Sequence, residues 1–102
     1  MDRITQLKEI LAADANNAFA RYGLAMEYSN SSQIELGLAE FNALIQAHPD
    51  YAAGYFMAAQ MLERVSRTPE ARQWLTNGIA AAERAGNSHA QGEMEAMLSE
   101  IS

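Results

Sequence analysis

Two stretches of this chain echo one another at a separation of 34 residues, and that period constrains the fold more than any other feature of the sequence. Shifting the chain by 34 sets Ala18 against Ala52, Tyr22 against Phe56, Ala25 against Ala59 and Tyr28 against Leu62. The same shift pairs Ser32 with Ser66, Gly37 with Ala71, Phe41 with Leu75, Ile45 with Ile79 and Ala47 with Ala81. Small residues meet small ones and large meet large, with more agreement in size and chemistry than in identity. Shifted backward, Leu7, Ile10 and Leu11 fall under Phe41, Leu44 and Ile45. A unit of this length cannot bury its apolar face alone, so neighbouring copies must stack to complete a core.

The unit is helical. Ala supplies 20 residues while Val, Ile and Thr together supply only 10, a balance that favours helix over sheet. The spacing predicts a first helix over Arg3–Ala13, capped by Asp2, with Ile4, Leu7, Ile10 and Leu11 on one face. A second runs from Ala18 to about Tyr28 behind Asn17 as cap. Ser32 with Glu35 reads as a capping box opening a third helix, which carries Ile34, Leu38, Phe41, Leu44 and Ile45 and ends before Pro49. A fourth, Tyr51–Val65, would take Asp50 as its cap. Thr68-Pro69-Glu70 opens a fifth helix with an N-cap Thr, Pro at the first position and an acid in the first turn. That helix runs to about Arg84, and Gly86 provides a left-handed exit. Ser88 with Gln91 offers a last capping box for a helix reaching about Glu100.

This period, with small residues at Ala25, Gly37, Ala59 and Ala71 and bulky ones at Tyr28, Phe41, Tyr55, Leu62 and Leu75, resembles the tetratricopeptide repeat. Pro49 and the Asp after it are similar to the family's inter-repeat turn. The resemblance covers about residues 3–84 and implies an all-α, right-handed antiparallel helix-hairpin solenoid of six helices. Residues 1–102 would form a single domain: an N-terminal half-repeat helix at 3–13, full repeats at 17–48 and 51–84, and a capping helix at 88–100. The apolar set Met94, Met97, Leu98 and Ile101 falls about five residues later than the period requires, so the last helix is read as a cap and not a third repeat. Arg21 departs from the family's usual large aromatic, Leu44 from a small residue, and Ser32 and Ser66 from Gly.

In the resembling family the first helix of each repeat lines a concave groove for a partner peptide. On Ala18–Tyr28 the stripe beside the core is Phe19, Tyr22 and Met26; on Tyr51–Val65 the matching places are Ala53, Phe56, Met57, Gln60, Glu63 and Arg64. The resemblance thus assigns partner binding to Phe19, Tyr22, Met26, Phe56, Met57, Gln60, Glu63 and Arg64, with Glu63 and Arg64 at the rim. Met and aromatic side chains suit apolar partner residues and adapt to several sequences. The Lys/Asn/Arg set with which some relatives clamp a terminal carboxylate is replaced here by Tyr22, Gly23 and Met26, so carboxylate capture is not expected.

No other chemistry emerges from the residues. His48 and His89 are far apart, and the chain has no Cys, so neither a metal site nor any other cofactor site is expected. Glu93 and Glu95 are two apart on a helix and face different ways. No phosphate loop or nucleophile elbow is present, so an enzyme is not expected. Trp74 reads as filling space against the next helix, and the scattered acids Glu27, Glu35, Glu40, Glu63, Glu70 and Glu83 as solvating outer faces. A net charge of −6 with one Lys and six scattered Arg argues against nucleic acid and anionic membranes as partners. The charged N-terminus lacks the apolar run of a secretory signal, which points to the cytoplasm. The expected function is a non-catalytic module for a protein or peptide partner; a homodimerising assembly module and a small chaperone for an unstable client remain open beside it.

Overall fold

The computed structural model describes residues 2–101. Among them are six α-helices and no strand: α1 (Arg3–Ala13), α2 (Ala18–Asn30), α3 (Ile34–Ala47), α4 (Ala52–Arg64), α5 (Thr68–Ala85) and α6 (Ser88–Ile101). They form two compact units, α1–α3 ending at His48 and α4–α6 beginning at Pro49.

Two of the expected caps are in place. Asp2 Oδ1 accepts the Thr5 amide at 2.7 Å, and Asn17 Oδ1 accepts that of Ala20 at 2.9 Å, each satisfying one otherwise unpaired donor of a first turn. The others differ. Ser32 does not cap α3, because its φ of 61° lies in the left-handed region. The residue is spent on ending α2: Ser32 N donates to Ser29 O and Gln33 N to Tyr28 O, a Schellman closure. Ser66, at φ 62°, ends α4 in the same way, with Ser66 N on Glu63 O and Arg67 N on Leu62 O. Gly86 closes α5 at φ 69°, as its position in the sequence predicts.

The N-termini of α3, α4 and α5 take Gln33, Tyr51 and Arg67 as flanking residues, none with a side-chain cap bond. Asp50 instead lies 3.6 Å from Arg84 Nη2. Thr68 is the first residue inside α5, and its hydroxyl donates to Glu63 Oε1 at 2.7 Å. At α6 the cap is Asn87, whose Oδ1 accepts from Ala90 N at 3.1 Å, in place of the Ser88–Gln91 box. Gln91 Nε2 points along its own helix to Glu95 Oε2 at 3.4 Å.

In the first unit, Leu7 and Leu11 of α1 pack with Ala20, Leu24 and Tyr28 of α2, and Ile4 leans against them half-buried. Ile10 is turned away and 45% exposed, so the buried face of α1 is narrower than the expected stripe. α1 approaches α2 closely at Gly23, where a Cβ would stand 3.2 Å from Leu7 Cδ2. α3 buries Gly37, Leu38, Phe41 and Leu44. Polar ties join its helices. Arg21 Nη1 donates to Glu40 Oε1 at 2.8 Å and Nη2 to Ala15 O at 3.1 Å, while His48 Nε2 lies 2.9 Å from Asn16 O.

In the second unit, α4 buries Gly54, Tyr55, Ala58, Ala59, Met61 and Leu62, and α5 buries Ala71, Leu75, Gly78, Ala81 and Ala82. The small residues at the expected helix crossings are fully buried in both units: Ala25, Gly37, Ala59 and Ala71. Full burial of an apolar side chain such as Leu62 or Leu75 contributes about 1.5–3 kcal/mol. Tyr55 hydroxyl donates to Pro49 O at 2.7 Å, and its ring meets that of Trp74 at a centroid distance of 6.2 Å and a tilt of 60°. Trp74 therefore meets the helix before its own, α4, where its place in the sequence suggests packing against the next one.

Candidate functional site

The geometry of the second unit is set by one absent side chain. A Cβ on Gly78 of α5 would stand 2.6 Å from Tyr55 Cβ on α4 and 2.5 Å from Met94 Sδ on α6. Only glycine lets α4 and α6 both settle this closely onto α5. With Met94 buried there, α6 turns its next apolar positions, Met97 and Ile101, toward α4.

Between α4 and α6 lies a cleft of about 460 Å³, lined by Phe56, Gln60 and Glu63 from α4 and by Glu93, Ala96, Met97, Glu100 and Ile101 from α6. The α4 residues are spaced i, i+4, i+7 and so form one stripe of the helix. The apolar part of the cleft is Phe56, Ala96, Met97 and Ile101; its carboxylates are Glu63, Glu93 and Glu100. Glu63 is held from α5 by the Thr68 hydroxyl. Glu93 Oε1 lies 3.4 Å from His89 Nε2, and both side chains are open to solvent.

Three of the five α4 residues singled out from the sequence, Phe56, Gln60 and Glu63, thus share one cleft. Met57 is half-buried and Arg64 exposed, and neither lines it. In the first unit, Phe19 is 73% exposed one residue into α2, while Tyr22 and Met26 are half-buried further along that helix. The α6 residues of the cleft are absent from the sequence-based set. Reading α6 as a cap assigned its apolar side chains to sealing, although the i, i+4 spacing of Met97 and Ile101 was visible.

Some of the scattered acids also pair with a cation of the chain itself. Glu40 pairs with Arg21, and Glu70 accepts from Arg67 Nε at 2.7 Å. The hydrogen bond from Arg67 holds the Glu70 carboxyl below its ordinary value, as the backbone amide of Thr5 does for Asp2. Among the described residues no three His, Cys, Asp or Glu side chains gather as metal ligands, and no helix is long and apolar enough to cross a membrane.

No family model matches the chain. It is 26% identical over 98 residues to a TPR repeat-containing protein of Pseudomonas aeruginosa, spanning 96% of this chain and 93% of that one. Among solved structures it is similar to a tetratricopeptide repeat domain protein from Salinibacter ruber, determined in solution, with 28% identity, a TM-score of 0.78 and coverage of 86% of this chain and 89% of the other. A protein from Bordetella parapertussis, 23% identical, has the same fold with a TM-score of 0.82 over 99% of this chain and 88% of its own.

Proposed function

This chain is a small tetratricopeptide-repeat protein, and from that premise we propose that it is a non-catalytic interaction module that receives a peptide or helix of a partner protein. Domains of this fold generally bind protein partners on surfaces built by consecutive repeats. The observation that supports the reading best is the α4–α6 cleft, where Phe56, Met97 and Ile101 offer an apolar seat and Gln60 offers an amide beside it. Such a mixture of apolar lining and a few polar groups is what a recognition site requires. Phe19, whose ring is 73% exposed at the start of α2, is the contact residue that this reading takes from the first unit. Tyr22, Met26, Met57 and Arg64 are the further contact residues of this reading, with residues 17–48 and 51–84 as its two repeats.

The test is crosslinking in the native cell with a photoreactive phenylalanine analogue at Phe56 or at Phe19. The captured partner should be lost from the Phe56→Ala and Phe19→Ala/Tyr22→Ala variants while their circular dichroism stays helical. A partner retained by all of them would sink the assignment. Crosslinking only to a second copy, together with a dimer that persists on dilution in light scattering, would favour a homodimerising module.

A further inference from the structure

The carboxylates of the cleft carry information about what occupies it. Glu63, Glu93 and Glu100 all line it, and no Lys or Arg is among its described lining residues. The sequence offers α6 no compensation, since no Lys or Arg follows Arg84. Arg64, next to Glu63 in the chain, is exposed and outside the lining. The Thr68 hydroxyl fixes Glu63 in place without neutralising it, and His89 offsets Glu93 only when its ring is protonated. Three like charges around an apolar floor make a site of one sign, which attracts cations and repels acidic segments.

We propose that the α4–α6 cleft takes a basic amphipathic helix of a partner protein, seating a large apolar side chain on Phe56, Met97 and Ile101 and its Lys or Arg neighbours on Glu63, Glu93 and Glu100. This deepens, and rests on, the reading of the cleft as a partner seat. The volume of about 460 Å³ falls among pockets of ~300–1,000 Å³ that receive ligands. The α4 stripe Phe56, Gln60 and Glu63 and the α6 stripe Glu93, Met97 and Glu100 both follow i, i+4, i+7. Each presents about 10 Å of helix, two turns of contact for a third helix laid in the groove. A floor of this kind gives no purchase to nucleic acid, whose phosphates the same carboxylates repel.

The experiment uses the full chain and three fluorescein-labelled synthetic helices that share Leu and Phe at i, i+3, i+4 and i+7 and carry Lys, Gln or Glu at the flanking positions. Anisotropy gives affinity, and amide chemical shifts give the place. The Lys helix should bind most tightly, with shifts concentrated on Phe56, Gln60, Glu63, Met97 and Ile101. Glu93→Gln/Glu100→Gln, two exposed replacements, should weaken it about tenfold, near threefold per carboxylate, and leave the Gln helix unaffected. Phe56→Ala should weaken every helix that binds. Equal affinity for the Gln or Glu helix in the cleft, or a Lys affinity indifferent to the double variant, would overturn the basic partner and leave the cleft as a peptide seat. Shifts confined to α1–α3 would overturn the cleft itself, and binding of none of the three would overturn both readings.

Discussion

Ser32 and Ser66, 34 residues apart, adopt the same left-handed backbone conformation, at φ 61° and 62°, and each closes the helix before it with the same pair of amide bonds. The repeat period is therefore written into the backbone as well as the side chains. A residue with a Cβ is disfavoured there by about 1 kcal/mol or more, and glycine is not. Ser32→Gly and Ser66→Gly should each stabilise the fold by about 0.5–1 kcal/mol, and Ser32→Val should destabilise it by about 1–2 kcal/mol because a β-branched side chain tolerates this conformation least. Urea midpoints read both signs; a loss of stability on Ser→Gly would refute the argument.

Arg21 stands where the resembling family usually has an aromatic, and it makes an ion pair with Glu40 in its place. Both side chains are mostly shielded, 23% and 20% exposed, so the pair is screened less than a surface one. Removing either partner alone strands a half-buried charge. Arg21→Met and Glu40→Gln should each destabilise by about 1–2 kcal/mol, and the double variant should recover about 1 kcal/mol of the sum, as a double-mutant cycle would measure. Additive losses would mean that the contact contributes nothing.

Helix number, order and crossing points were legible in the sequence because they depend on periodicity: small residues recurring at Ala25, Gly37, Ala59 and Ala71 reach full burial. Caps were less so. Ser32 and Ser66 are good N-cap residues by type, but the chain uses them to finish the preceding helix, a choice decided by φ and not by side-chain chemistry. Arg21–Glu40 and Thr68–Glu63 depend on which faces meet, which spacing within one helix does not determine. The α4 wall of the cleft followed from the repeat register. Its α6 wall did not, because α6 has slipped from that register and carries its own apolar phase.

Asp2 and Glu70 make stability depend on pH in a known direction. The Thr5 amide lowers the Asp2 carboxyl from an ordinary 3.8, and Arg67 lowers Glu70 from an ordinary 4.5. A depressed folded-state value means that the contribution is present above those ordinary values and is lost as pH falls through the folded ones. Urea midpoints should therefore decline below about pH 4.5, more shallowly in Asp2→Asn and Glu70→Gln than in the parent. Parallel declines in all three proteins would rule out these two groups as contributors.

Gly78 and Gly92 put one substitution to opposite uses. Both are inside helices, so Ala at either gains about 0.5–1 kcal/mol in backbone terms. At Gly92 of α6 a Cβ meets nothing within 4 Å, and Gly92→Ala should keep that gain. At Gly78 the new atom would lie 2.6 Å from Tyr55 Cβ, which is fixed to the α4 backbone, and 2.5 Å from Met94 Sδ, which can swing away. Overpacking of this kind costs about 1–3 kcal/mol, so Gly78→Ala should lose about 1–2 kcal/mol net. Adding Met94→Ala would relieve only the flexible half of the clash and removes a buried side chain besides, so it should not rescue the variant. Because α4 and α6 both rest on Gly78, the amide shifts of Phe56, Met97 and Ile101 should move in Gly78→Ala and stay put in Gly92→Ala. Unmoved cleft shifts in Gly78→Ala would show that this glycine does not set the spacing of its two walls.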